Sequence, residues 1–508
     1  MKDEVGTSVS NDGSGAGQAQ LRLATPAGRW VLTAAVLGSA VVSLDATVVN
    51  VALPTIGQDL DAGVAGLQWT VNGYALTLAA LILLGGSLGD RFGRRRIFVL
   101  GVAWFGLASL LCGLAPNLET LVLARALQGV GGALLTPGSL AMISASFCRE
   151  DRARAIGAWS GLGGVAAAVG PLIGGALLEQ SWRWIFLINL PLTVFVIYLA
   201  VRHVPETLDA DAPRRPDLLG SATGAIGLGG LTYALIAAPS GNQPVVWIAG
   251  LVGVLGFAFF ILTERRSPHP LVPLDVFANR QFTAANLVTF ALYSAISGVF
   301  FLLAIVLQVV VGLSPLQAGT AMLPVTLLML TLSSRTGALA ARIGPRRPMT
   351  FGPLIMAGGL LLMLRIQPEA GYFSNALPGI LVFGTGLTLT VAPLTAAVLA
   401  AAEDRHAGVA SGVNNAVART AGLLSVAVLP LLMGLSGDDF ARPGALADGF
   451  HIAVLCCAVL MALSALIAWF GVKDSSAEPV PVHTEPVYHC AVDQPPTAPE
   501  GIRSPAGS

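Results

Sequence analysis

Lysine is nearly missing from this sequence: Lys2 and Lys473 are the only two in 508 residues. Neither follows a glycine-rich turn, and a phosphate-cradling loop needs its lysine on the phosphates. ATP hydrolysis by this chain is therefore excluded as a source of energy. Charge of either sign is also scarce. Asp, Glu, Lys and Arg make up 11% of the chain, against about 25% in a soluble domain. A surface facing water cannot be built from so few charged groups, whereas one facing lipid needs few. Net charge is zero, which removes the basic stripe expected of a nucleic-acid-binding protein. The five cysteines are Cys112, Cys148, Cys456, Cys457 and Cys490. Their odd number, and the placement of four in or beside apolar runs, argue against a disulfide framework. No nucleophile–base set or metal-spaced cluster stands in the apolar runs. His483, His489 and Cys490 lie in a polar tail without ligand spacing. Neither an enzyme nor a metal or other cofactor is expected.

Apolar sequence fills the space that charge leaves. Hydrophobic residues account for 54%, and the mean hydropathy is +0.75. Six long apolar runs occupy 30–52, 67–88, 97–115, 120–143, 155–178 and 184–202. Two more follow at 218–238 and 244–263. The last six lie at 283–308, 315–334, 349–365, 376–398, 411–433 and 450–471. At 1.5 Å per residue each crosses about 30 Å of hydrocarbon, which predicts an all-α polytopic membrane protein of fourteen spans. The first run lacks a small-residue cleavage site after it, so it is read as a retained helix rather than a signal peptide. Residues 1–28 and 472–508 are polar, rich in Gly and Ser or in Pro, and are expected to be disordered.

Arginine placement sets the expected orientation. Arg125 and Arg419 fall within apolar runs, and Arg183, Arg365 and Arg442 fall in loops on one side. All other Lys and Arg lie on the side of the two termini. The positive-inside rule makes that side cytoplasmic. The bacterial inner membrane is the expected location, with the lipid bilayer as the protein's surroundings.

Two short patterns recur. Gly86-Ser87-Leu88-Gly89-Asp90-Arg91-Phe92-Gly93-Arg94 follows the second run, and Gly337–Gly344 with Arg346 follows the tenth. Glu150-Asp151-Arg152 follows the fourth, and Glu403-Asp404-Arg405 the twelfth. Each pair relates run n to run n + 8. Two parallel six-helix bundles, at 29–204 and 282–471, follow, with two extra linker helices between them at 205–281. Halves of this kind are a transporter architecture, with the binding site between them near the bilayer midplane.

An ionisable group inside the membrane is costly, and by default functional. Asp45 is the clearest carboxylate within a run, and Arg125 and Arg419 are the cations. Counted along their helices, Asp45 is about 12 Å and Arg125 about 10 Å from the same membrane face. The spacing leaves open whether the two side chains meet. Asp45 is expected to take a proton from outside and release it inward when substrate or Arg125 favours the carboxylate. Asn50, Asn72, Tyr74, Gln128, Asn189 and Asn286 are polar groups in or beside the runs and candidates to line a substrate cavity. Trp69, Trp182 and Trp184 suit an interfacial aromatic belt.

Several of these runs resemble the major facilitator superfamily. The Gly86–Arg96 loop is similar to the superfamily's loop signature. That likeness implies a conformational latch made by Gly86, Asp90, Arg91, Gly93 and Arg94. Leu121–Ala133, with Arg125 and Gln128, is similar to its proton-coupling helix. Gly157–Gly175, ending in Gly170, Pro171, Gly174 and Gly175, resembles the antiporter motif of its exporters, with Ala166 at one family glycine. Leu44–Pro54 and Trp182–Pro191 look like the fourteen-span drug:proton antiporters of EmrB/QacA type. The resemblance spans about 30–470. It implies a monomeric secondary transporter that exports small amphipathic drugs, antibiotics or dyes in exchange for protons, driven by the proton gradient. A dedicated metabolite or lipid exporter and a non-transporting sensor are the alternatives. In the second loop Ala341 stands where Asp90 stands in the first, so an asymmetric latch is expected.

Overall fold

The computed structural model describes residues 21–208, 217–267, 270–368, 371–401, 407–436 and 439–474. The described chain is helical. The first bundle comprises α1 (Pro26–Asp59), α2 (Val64–Phe92), α3 (Arg94–Gly113), α4 (Leu118–Ser146), α5 (Arg149–Leu178), α6 (Trp184–Leu187) and α7 (Asn189–His203). A hairpin of α8 (Leu218–Ala237) and α9 (Gln243–Arg266) follows. The second bundle comprises α10 (Arg280–Val309), α11 (Pro315–Ala321), α12 (Leu323–Ile343), α13 (Arg346–Met363), α14 (Leu377–Ala400), α15 (Ala407–Leu432) and α16 (Pro443–Gly471). α6 with α7, and α11 with α12, each form one interrupted span. Pro191 and Pro324 follow the two breaks, where a missing N–H leaves the ladder open.

Thirteen helices among the described residues are long and apolar enough to cross a membrane. The expected span 349–365 corresponds to α13, which is present but is not among the thirteen. It has 18 residues, and its first turn carries Arg346 and Arg347, which lowers its mean hydropathy. α13 packs against α14 and α16.

Small residues set the close packing. In α4, a Cβ on Gly129 would overlap Thr77 and the Tyr74 carbonyl of α2, and one on Gly131 would lie 2.7 Å from the Phe105 nitrogen of α3. Backbones this near need glycine, because no side chain can stand between them. The two bundles touch at the end that carries Asp59 and Arg183. There Gln308 Nε2 donates to the Val51 carbonyl at 2.8 Å, and Gln68 Nε2 donates to the Val426 carbonyl at 2.9 Å. A Cβ on Gly175 of α5 would sit 2.6 Å from Leu316 Cα of α11. Toward the basic end, Gly157, Gly161, Gly163 and Gly164 of α5 face open space. The α8–α9 hairpin lies against α2 of one bundle and α15 of the other.

Both expected disordered ends begin beyond residues that the structure places. Leu21 bridges to Phe147, its N–H bonding the Ser146 carbonyl at 2.8 Å, and Thr25 caps α1. Residues 21–28 are thus ordered by backbone pairing, which composition does not register; residues 1–20 lie outside the described residues. Val472 is buried, and the Asp474 carboxylate accepts the Arg346 N–H at 3.1 Å. Residues 475–508, with His483, His489 and Cys490, lie outside the described residues, as does Glu403-Asp404-Arg405. Trp182 is also corrected: it is 2% exposed, donating to Asp59 Oδ2 at 2.7 Å, so it belongs to the bundle interior rather than to a lipid-facing belt.

Candidate functional site

The glycines of α4 draw its Arg125 and Gln128 inward among α1, α2, α3 and α7. Arg125 Nη1 stands 2.6 Å from Asp45 Oδ2, and both residues are 1% exposed. A charge pair this deep survives only with excellent geometry and its remaining hydrogen-bonding groups satisfied. Those bonds are present. Arg125 Nε donates to the Thr70 carbonyl at 3.1 Å, and Nη1 donates to Gln128 Oε1 at 2.6 Å. Gln128 Nε2 donates to Asp45 Oδ1 at 2.8 Å and to Ser109 Oγ at 2.7 Å. Asn189 Nδ2 reaches Asp45 Oδ1 at 3.3 Å and Ser109 Oγ at 3.1 Å. The guanidinium lies 4.4 Å from the Tyr74 ring centroid, on its face, an arrangement favourable to a cation. Asn189 Oδ1 and the Tyr74 hydroxyl are buried without a partner.

The structure therefore gathers Asp45, Arg125, Gln128, Asn189 and Tyr74 into one cluster inside the first bundle. Ser109 and the Thr70 carbonyl complete it, and neither was legible from residue type. An isolated serine on an apolar helix is commonplace, and a carbonyl carries no residue signature. Of the other cavity candidates, Asn72 is fully buried on α2 with both amide atoms unpartnered, and Asn50 Oδ1 is likewise unpartnered. Asn286 lies in the other bundle, donating to the Phe282 carbonyl and accepting from Asn414 at 3.1 Å. Arg419 of α15 has neither an ion pair nor a hydrogen bond to a described residue, in contrast to Arg125.

The antiporter-like stripe on α5 is packed from both sides. A Cβ on Gly170 would overlap Thr47, and one on Gly174 would lie 2.7 Å from Val48, so both glycines abut α1 within one turn of Asp45. Gly175 faces α11, and the Pro171 carbonyl lies directly under Gly319. α5 thus links the helix of the buried carboxylate to the second bundle. The basic loop is tied within the first bundle. Asp90 pairs with Arg94 at 2.8 Å, Arg91 stacks on Phe92, and Gly86 lies beside Pro137. Gly93 adopts φ +110°, in the left-handed region that glycine enters freely. Arg95 N–H donates to Glu206 Oε1 at 3.0 Å, just beyond α7. The second loop repeats the device with Gly344 at φ +83° and Asp474. A carboxylate beyond the last helix of each bundle thus receives the loop N–H, whether or not the loop has its own aspartate.

Residues 35–426 match the Major Facilitator Superfamily. The chain belongs to the major facilitator superfamily. Proteins similar to this chain carry resistance and export names. It is 35% identical to the methylenomycin A resistance protein of Bacillus subtilis (strain 168), over 86% of this chain and 93% of that protein. It is 36% identical to the puromycin resistance protein pur8 of Streptomyces alboniger, over 88% and 92%. A solved structure of a bacterial homologue of the lysosomal transporter Spinster, in an inward-facing and unoccupied conformation, superposes with a TM-score of 0.64. It shares 18% identity over 88% of this chain and 97% of that one, a likeness of fold. Superfamily membership makes the chain a multi-pass membrane transporter rather than an enzyme.

Arg125→Lys tests the geometry of the pair. A lysine keeps the charge but loses the planar fork, and with it the simultaneous bonds to Thr70, Asp45 and Gln128. The loss of one bond to a charged group costs about 1.5–3 kcal/mol. The purified variant should melt at a lower temperature than wild type in the same detergent; an unchanged melting temperature would show that charge alone suffices.

Proposed function

We propose that this protein exports small amphipathic drugs, antibiotics or dyes across the bacterial inner membrane in exchange for protons, by alternating access of two bundles. The observation that carries this reading is the wholly buried Asp45–Arg125 pair, whose carboxylate is the group able to carry a proton at membrane depth. Relatives named for resistance to methylenomycin A and puromycin, and one named a multidrug resistance protein in Mycobacterium tuberculosis, support drugs and antibiotics as cargo. In this reading α13 is the fourteenth span, as in EmrB/QacA-type antiporters, and both termini are cytoplasmic. The protein acts as a monomer and without a cofactor.

The cycle follows from the donors and acceptors around Asp45. As a carboxylate it receives Arg125, Gln128 and Asn189. A proton on Asp45 needs an acceptor, and rotation of the Asn189 amide, whose Oδ1 has no partner, would bring one to face it. The protonated state therefore loosens Arg125 without stranding a buried hydroxyl. Gly157, Gly161, Gly163 and Gly164 of α5 face open space toward the basic end, which this reading takes as the cytoplasmic side where cargo enters and the proton leaves. The α5 stripe passes the change at α1 to the contact with α11. Narrow cargo is the second reading, favoured by relatives named a tetracenomycin C resistance and export protein and a probable actinorhodin transporter.

The test is efflux of a lipophilic fluorescent cation and of a neutral dye from pump-deficient cells, with and without a protonophore. Protonophore-sensitive efflux of either is expected. If neither dye leaves faster than from empty cells, broad drug export is refuted and a single dedicated cargo replaces it.

A further inference from the structure

The α8–α9 hairpin contributes nothing to the Asp45 cluster, yet it holds a second buried carboxylate arrangement. Glu264, in the last turn of α9, is 3% exposed. Its Oε2 accepts the Val272 N–H at 2.9 Å, while its Oε1 is buried without a partner. Asp217 caps α8: its Oδ1 accepts the Gly220 N–H at 2.7 Å, and its Oδ2 is likewise buried without a partner. Both vacant oxygens lie beside Gly220. A Cβ placed on Gly220 would lie 2.6 Å from Glu264 Oε1 and 3.0 Å from Asp217 Oδ2. Glycine at 220 is what leaves room for both.

Each carboxyl therefore spends one oxygen on a backbone N–H and keeps the other without a hydrogen-bond partner among the described residues. Two ionised carboxylates cannot share such a place without strong repulsion, and one proton between them removes it. Among the described residues the surroundings supply no cation instead; Arg214, Arg215 and His269 lie outside them. Arg265 and Arg266 on α9 are exposed, Asp275 on the following segment bonds its own neighbour Val276, and α8 carries no other charged residue. No described Lys, Arg or His forms an ion pair with Glu264 or Asp217. We propose that Glu264 and Asp217 form a proton-binding dyad, separate from Asp45, whose single shared proton clasps the α8–α9 hairpin to the chain entering the second bundle.

The consequence lies in what the clasp holds. Val272, Val276 and Phe277 pack on the core of the second bundle, and the Phe277 carbonyl accepts the Thr283 hydroxyl at 2.6 Å. The hairpin itself touches α2 and α15, one helix from each bundle. With the proton bound, Glu264 keeps its bond to Val272 and the entry segment is held. With the proton lost, repulsion from Asp217 drives Glu264 outward and frees that N–H. The dyad lies at the basic end of the hairpin, so it reads the pH on the side of the termini.

Hydrogen–deuterium exchange of the full-length protein in lipid nanodiscs tests this. Protection of residues 271–278, corrected for intrinsic exchange, should fall by about tenfold or more as pH rises from about 5.5 to about 8.5. Glu264→Gln can donate from its amide to Asp217 while still accepting from Val272, so its protection should persist at both pH values. Asp217→Asn, which retains the cap to Gly220, should behave the same way. Wild-type protection that does not change with pH overturns the proposal, as does a Glu264→Gln protein that responds like wild type. Restoration of wild-type protection at the higher pH by magnesium or calcium chloride also overturns it, assigning the oxygens to a cation. None of these outcomes depends on cargo or on Asp45.

Discussion

Asp45→Asn should abolish proton-driven efflux while leaving the protein in the membrane. Asparagine fills the same volume and can still accept from Gln128, but it neither ionises nor carries a proton. Its cost falls on Arg125, whose cation is then buried without a counter-charge. Removing one partner of a buried pair typically costs about 3–5 kcal/mol, enough to threaten folding. The double variant Asp45→Asn/Arg125→Gln separates the two effects, because it removes both charges and leaves amides able to bond Gln128, Ser109 and the Thr70 carbonyl. Both variants should lose protonophore-sensitive efflux by at least about tenfold, which corresponds to about 1.4 kcal/mol of lost coupling. The double variant should recover the expression and melting temperature that the single one loses. Full proton-driven efflux by a well-folded double variant would remove Asp45 from the mechanism.

The second large effect is expected at the contact between bundles. A methyl group on Gly319 would overlap the Pro171 carbonyl, and one on Gly175 would press on the backbone of Leu316. Backbone atoms cannot swing aside as a side-chain tip can. Overpacking of this kind costs about 1–3 kcal/mol, and it is paid only in the state where these surfaces touch. On the proposed cycle, Gly319→Ala should therefore shift the balance of states by about 5–150-fold away from the arrangement seen here. The readout is the reaction of a cysteine at Leu162, an exposed position on α5, with an impermeant maleimide added from the basic side, in a background lacking Cys148, Cys456 and Cys490. Labelling and transport should both fall. Gly358→Ala, where nothing lies within 4 Å of the new methyl, should change neither. Equal labelling in Gly319→Ala and wild type would refute a rocking contact at this point.

Much of the fold was legible in the chain because lipid imposes a simple code. Apolar stretches long enough to cross, broken by polar turns, produced helices close to where hydropathy set them, and the loop patterns reappeared as Gly93 and Gly344 at positive φ. The code weakens where charge and apolarity mix in one short segment, as in α13, whose leading Arg346 and Arg347 obscure an otherwise apolar helix. It fails at Leu21, which pairs with the backbone of Ser146 and Cys148, and at Asp474, which accepts the Arg346 N–H, because those partners lie far away in sequence.

At the site, residue types alone singled out Asp45 and Arg125, since each is costly in hydrocarbon and must have a reason to be there, whereas Gln128 and Asn189 stood only among six candidates to line a substrate cavity. Sequence by itself thus determined that this chain spans a membrane many times, in two related halves, with a carboxylate and an arginine at similar depth in the first. Only the tertiary structure decided that these two meet at 2.6 Å, that Ser109 and Thr70 complete their bonds, that Arg419 has no ion pair or hydrogen bond among the described residues, and that vacant oxygens of Glu264 and Asp217 lie beside Gly220. Depth along a helix is fixed by counting residues, but which face meets which neighbour is fixed by the packing of backbones over small residues many positions away.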